Sequence, residues 1–111
     1  MAEIWYSFRE TIAFTRRLLK LLDDDEYATL QEELTEYPEQ GKIIKGSGGI
    51  RKMRWSLEGR GKRGGARVIY YFASSDEEIF MLDIYAKNEK TDLLPDEIKE
   101  LREIVRAWLE E

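Results

Sequence analysis

The 111-residue sequence predicts one α+β domain, a small sheet packed with helices. Three observations carry this. Apolar residues recur with a period near two in some stretches and about 3.6 in others. Glycine and proline fall between those stretches rather than inside them. The length suits a single core of ordinary size and leaves no material for a second.

The first stretch, Ile4-Trp5-Tyr6-Ser7-Phe8, is aromatic and β-branched and reads as an opening strand. From Thr11 the spacing becomes helical, with Phe14, Leu18, Leu21 and Leu22 on one side and Arg16, Arg17 and Lys20 between them. Asp23-Asp24-Asp25 breaks this helix and supplies a cap and first-turn acids for the next. Its stripe is Tyr27, Leu30, Leu34 and Tyr37, closed by Pro38, so the two helices form an antiparallel hairpin. Residues 41–49 are a glycine-punctuated loop. Alternation then predicts strands over 50–57, 66–72 and 79–87, joined by the glycine-rich connection 58–65 and the turn Ser74-Ser75-Asp76-Glu77. Pro95, Asp96 and Glu97 open a last helix whose apolar face is Ile98, Leu101, Val105 and Trp108. Leu94 is a poor cap, so that end is expected to fray or to lean on packing. The expected sheet is a three-strand antiparallel meander plus the N-terminal strand, packed with the helical hairpin and the C-terminal helix. Trp5, Trp55 and Trp108 are read as core.

Composition removes several kinds of chemistry. There is no cysteine, hence no disulfide, thiol nucleophile or thiolate metal site, and no histidine, the commonest general base and metal ligand. No metal and no cofactor is expected. No apolar run is long enough to span a membrane, and the first residues lack a signal-peptide pattern, so no membrane partner and a cytoplasmic location are expected. The net charge of −5 hides a division. Residues 41–70 carry nine basic residues and one acid, whereas the flanking segments sum to −6 and −7. A charge run is ordinarily a solvated surface. Here strand parity makes it more specific, because side chains alternate between the faces of a sheet.

Met53, Trp55 and Leu57 share the core face of their strand, which turns Lys52 and Arg54 the other way. Ala66, Val68, Tyr70 and Phe72 assign the next core face, leaving Arg67, Ile69 and Tyr71 opposite. Phe80, Leu82, Ile84 and Ala86 assign the third, leaving Met81, Asp83, Tyr85 and Lys87 opposite. One face of the meander is thereby expected to collect Lys52, Arg54, Arg67, Tyr71, Tyr85 and Lys87. A lone cation on an open sheet face is usually just solvated, but four together repel one another unless an anion sits among them. A phosphate backbone with aromatic platforms for its bases is the usual guest.

The segments 46–54 (GSGGIRKMR), 61–71 (GKRGGARVIYY) and 84–89 (IYAKNE), with Asp-Glu-Tyr opening the second helix and the 92–96 run before the last, resemble the RelE/ParE superfamily of type II toxins, in particular its HigB-like branch. The resemblance spans almost the whole chain. It implies a RelE-like fold and a metal-independent, ribosome-dependent endoribonuclease that cleaves mRNA in the ribosomal A site and so inhibits translation. Its implied partners are the ribosome and its RNA, mRNA, and a cognate helix-turn-helix antitoxin of the HigA type. By position it implies catalytic roles for Lys52, Arg54, Arg67 and Lys87. Relatives of RelE also use a tyrosine near the C-terminus, where this chain has Trp108; Tyr85 or Tyr71 is a substitute.

Cleavage by the ribose 2′-OH needs a proton acceptor, charge stabilisation at phosphorus and a proton for the leaving 5′-oxygen. A lysine crowded by cations yields its proton more readily, which nominates Lys52 as base. Arg54 and Arg67 suit the phosphate, and Lys87 is the acid or a second clamp. Tyr71, Tyr85 and Arg51 are expected to bind substrate, and Arg60, Lys62 and Arg63 to hold ribosomal RNA. Arg67→Ala is expected to abolish toxicity with thermal stability nearly unchanged. Two other readings fit the same pattern: a ParE-like poison of DNA gyrase that does not cut RNA, and a non-catalytic RNA-binding module.

Overall fold

The structure is a computed structural model that describes residues 5–57 and 65–111. Its element order is β1 (Ser7–Glu10), α1 (Ile12–Leu21), α2 (Asp24–Glu36), β2 (Lys42–Ile43), β3 (Arg51–Trp55), β4 (Ala66–Ala73), a 3-10 turn (Ser74–Asp76), β5 (Glu78–Ala86) and α3 (Pro95–Leu109). The strands form one five-stranded sheet in the order β1-β5-β4-β3-β2. β3, β4 and β5 are the expected antiparallel meander. The structure adds the two-residue β2 at one edge and joins β1 to the other edge in parallel. β1 also lies three residues later than the aromatic run suggested, and Trp5 is 75% exposed rather than core.

Local chemistry explains the helix boundaries. The Thr11 hydroxyl accepts the Phe14 N–H at 3.0 Å and donates to the Leu82 carbonyl at 2.8 Å, so the cap of α1 also ties that helix to β5. Asp23 and Glu26 form a reciprocal capping box at the start of α2, with bonds of 2.7 and 2.9 Å. The residues Asp24, Asp25 and Glu26 place three carboxylates against the positive end of its dipole. At α3 the weak Leu94 cap is compensated. The Glu97 carboxylate reaches back to accept the Leu94 N–H at 2.8 Å and is ion-paired to Lys90.

Both faces of the sheet are covered. Phe14, Leu18, Leu30 and Leu34 from the helical hairpin pack on Met53, Val68, Tyr70, Met81 and Ile84. α3 lays Val105, with Leu101 and Trp108, over Ile50, Ile69, Phe80 and Leu82 on the other side. This corrects the expected parity of β5. Ile69 pairs with Asp83 but Tyr70 pairs with Met81, so Leu82 is an extra residue in the strand. Such a bulge flips the facing of everything on one side of it. Phe80 and Leu82 therefore face α3, whereas Ile84 and Ala86 face the hairpin. No helix among the described residues is long and apolar enough to cross a membrane.

A candidate anion-binding cavity at the end of the sheet

β3 and β4 set the floor of the site. Met53, buried in the hairpin-side core, turns Lys52 and Arg54 to the opposite face, and the β3–β4 register places Arg54 directly across from Arg67. β2 pairs Lys42 with Lys52. Beyond β5 the Lys87 N–H bonds the Gly65 carbonyl at 3.1 Å, which fixes Lys87 beside the start of β4. Gly65 has φ +58°, and a Cβ there would stand 2.3 Å from the Trp55 carbonyl oxygen, so only glycine allows this approach. These constraints bring Lys42, Lys52, Arg54, Arg67 and Lys87 around one open cavity of about 790 Å³, with Gln40 and Thr91 at its wall.

The four cations expected to be catalytic thus line one cavity, and two features modify their setting. Arg67 is only 7% exposed and forms part of the floor, while Arg54 and Lys87 are open to solvent. Lys52 is bonded to Asp92, Nζ to Oδ1 3.1 Å, a partner that parity did not reveal. Asp92 sits in the β5–α3 connection, where its carboxylate also accepts the Leu93 N–H at 2.9 Å. That backbone bond first, and the Lys52 ammonium second, hold the Asp92 carboxyl below its ordinary pKa, with Arg67 adding to the effect. Lys42 is a further cation that parity missed, because β2 is too short to show alternation.

The remaining expected residues lie elsewhere. Arg51 is half-buried and donates to the Glu39 and Gly41 carbonyls at 2.9 and 2.8 Å, so it fastens the α2–β2 connection instead of facing the cavity. The ring of Tyr71 stacks on Phe80, centroids 5.8 Å apart, beneath α3. Tyr85 is 4% exposed, which rules out a platform for bases in this conformation. Burial, and then Asp92, push its phenol up to about 12 against the opposing influence of Arg67. Among the described residues its hydroxyl has no hydrogen-bond partner. Trp108 meets the Phe80 edge at 5.0 Å and carries the Arg9 guanidinium 4.0 Å above its ring, away from the cavity. No aromatic side chain therefore lines the cavity among the described residues. Arg60, Lys62 and Arg63 lie outside the described residues.

Five cations around one cavity repel one another, and the cavity has the size of a small-ligand site. Guanidinium forks and ammonium donors on one wall suit a phosphodiester, whose oxygens accept several charge-assisted bonds at once. Among the described residues no cluster of three or more acidic side chains is arranged to hold a metal ion.

Comparison with known proteins bears on the whole fold. Residues 13–111 match a family model described as the RelE toxin of the RelE/RelB toxin–antitoxin system. A doubly arginine-to-alanine-substituted form of the E. coli toxin RelE in the free state is similar in structure (TM-score 0.54), at 15% identity over 78% of this chain and 87% of that one. The archaeal RelE–RelB complex of Pyrococcus horikoshii OT3 contains a similar chain (TM-score 0.52, 20% identity, 77% and 98% covered). The intact E. coli RelBE complex contains another (TM-score 0.50, 17% identity, 72% and 94% covered).

Proposed function

The chain belongs to the RelE family of toxins of toxin–antitoxin systems, and on that premise we propose that it is a ribosome-dependent endoribonuclease that cuts mRNA in the cavity at the end of β3 and β4. The observation that supports this is the convergence of Lys52, Arg54, Arg67 and Lys87 on one cavity. Arg54 and Arg67 hold the two non-bridging oxygens of the scissile phosphate. They gain most as charge builds on the phosphorane, which is the differential binding that lowers a barrier. When RNA enters, Lys52 leaves Asp92, releases its ammonium proton to solvent and, as the neutral amine, takes the 2′-OH proton. The 2′-oxygen then bonds to phosphorus, the P–O5′ bond breaks, and Lys87 delivers a proton to the departing 5′-oxygen. The products are a 2′,3′-cyclic phosphate and a 5′-OH.

Its partners are the ribosome, which presents the messenger, and a cognate antitoxin of the helix-turn-helix HigA-like kind. Purified ribosomes translating a reporter test the reading: 5′-end mapping should show cuts at codons held in the A site. Intact messenger with the wild-type chain would overturn it, and gyrase-dependent DNA breaks would replace it with gyrase poisoning.

A further inference from the structure

α3 carries a second group of cations that the cavity does not use. Lys99, Arg102 and Arg106, spaced i, i+3, i+7, share one flank of the helix and are all exposed. They line a shallow depression of about 250 Å³ together with Gly46. Among the described residues Lys99 and Arg102 have no ion-pair partner, and Arg106 has only a 3.7 Å contact with the equally exposed Glu103. The facing turn adds Lys45, exposed, and two glycines. Gly46 has φ +75° and nothing within 4 Å of where a Cβ would stand, and Gly48 places its missing Cβ 3.7 Å from Arg102 Nε. The other charged flank of α3 is acidic: Glu97 and Glu100 border the groove against α1.

The chain links this stripe to the cavity through the β5–α3 connection and the turn after β2. The β5–α3 connection brings Asp92 to Lys52, and α3 then runs back along the sheet until Arg102 meets the turn that precedes β3. From Lys99 to Arg106 the stripe extends about 10 Å along the helix. Glu103 lines the same depression, and the exposed Glu110 follows one turn beyond Arg106 on that side of the helix. A short cationic row with acids along one side suits a linear polyanion. An anionic membrane surface would press on those acids.

We propose that Lys99, Arg102 and Arg106, with Lys45, form a track for an RNA phosphate backbone that extends the candidate site along α3. This rests on the reading of the chain as an RNA-directed toxin, but its test measures binding and not cleavage. The variant Lys99→Gln/Arg102→Gln/Arg106→Gln is compared with wild type and with the charge-preserving Lys99→Arg/Arg102→Lys/Arg106→Lys, after matching melting temperatures show all three folded. Each is titrated against vacant ribosomes by pelleting and against a short fluorescent single-stranded RNA by anisotropy, over a range of salt. The neutral variant should lose about tenfold or more in affinity. Its log–log salt slope should become shallower by about 2, as expected for three lost backbone contacts, while the charge-preserving variant stays near wild type. Loss confined to ribosomes assigns the track to ribosomal RNA, and loss on the short RNA assigns it to the messenger. Unchanged affinity and slope in both arms, or no binding by wild type in either, overturns the proposal. A wild-type chain that binds RNA through this stripe but leaves mRNA intact would sink the nuclease and spare the track.

Discussion

Arg67 differs from the other cations of the cavity because the sheet has taken it inside. The sequence suggested an exposed guanidinium whose removal leaves stability untouched; at 7% exposure that expectation no longer holds. Arg67→Ala should cost about 1–3 kcal/mol, since it removes a buried charged donor from the sheet. It should also lower mRNA cleavage by about 100-fold or more if the guanidinium meets the phosphorane. Arg67→Lys separates the two effects: a melting temperature near wild type with cleavage still low assigns the fork geometry to catalysis, whereas recovered cleavage removes it from that role. Asp92 makes the complementary case. Its carboxylate competes with an incoming phosphate for Lys52, through a pair that is largely exposed and therefore weak. Asp92→Asn should tighten RNA binding by a factor of about 1.5–5, the equivalent of an exposed pair. Weaker binding would show instead that Asp92 holds Lys52 in its working position.

Among the elements, α3 and the β2 edge depend on single polar groups. Glu97 accepts the Leu94 N–H and pairs with Lys90, and both hold its carboxyl below the ordinary 4.5, the backbone bond first. Because the folded state depresses this pKa, the stabilisation is complete above about pH 4.5 and is lost as pH falls through the lower folded value. Glu97→Ala should cost about 0.3–1.5 kcal/mol at neutral pH and flatten the acid limb of the melting curve. An unchanged acid limb would mean that other carboxylates govern it. At the β2 edge the Tyr70 hydroxyl donates to Pro38 and accepts from Gly41, each at 2.9 Å, which places Gln40 and Lys42 at the cavity. Tyr70→Phe should cost about 1–3 kcal/mol in urea unfolding, because a buried N–H and carbonyl are left unpaired. The sequence made some of this readable and hid the rest. Apolar alternation in β3 and β4 located Lys52, Arg54 and Arg67 on one face because neither strand is interrupted before them. In β5 the extra residue Leu82 has no compositional mark, so Phe80 and Ile84 appeared to share a face when a bulge separates them. Asp92 and Lys42 stand in a loop and a two-residue strand, where no period exists to place them.

For the whole molecule, the sheet has a core on each side, and the cavity opens where α3 ends its cover. Sequence patterning named the apolar stripe of α3 but not the face it covers, since a period shows that a side is buried and not against what. The tyrosines expected on an open face are instead the material of the second core. The two cores should then differ in function. Phe14, fully buried, anchors the hairpin side, and Trp108 holds α3 against Phe80. Phe14→Ala should cost about 3–5 kcal/mol and Trp108→Ala, being partly exposed, about 2–3 kcal/mol. Both losses leave a folded population if the domain has ordinary stability. Measured at a temperature where circular dichroism shows each variant folded, Phe14→Ala should retain RNA binding near wild type. Trp108→Ala should lose affinity, because α3 carries the basic stripe of Lys99, Arg102 and Arg106. Parallel losses in the two variants would mean that α3 only stabilises the domain and that the strands alone position the cavity's cations.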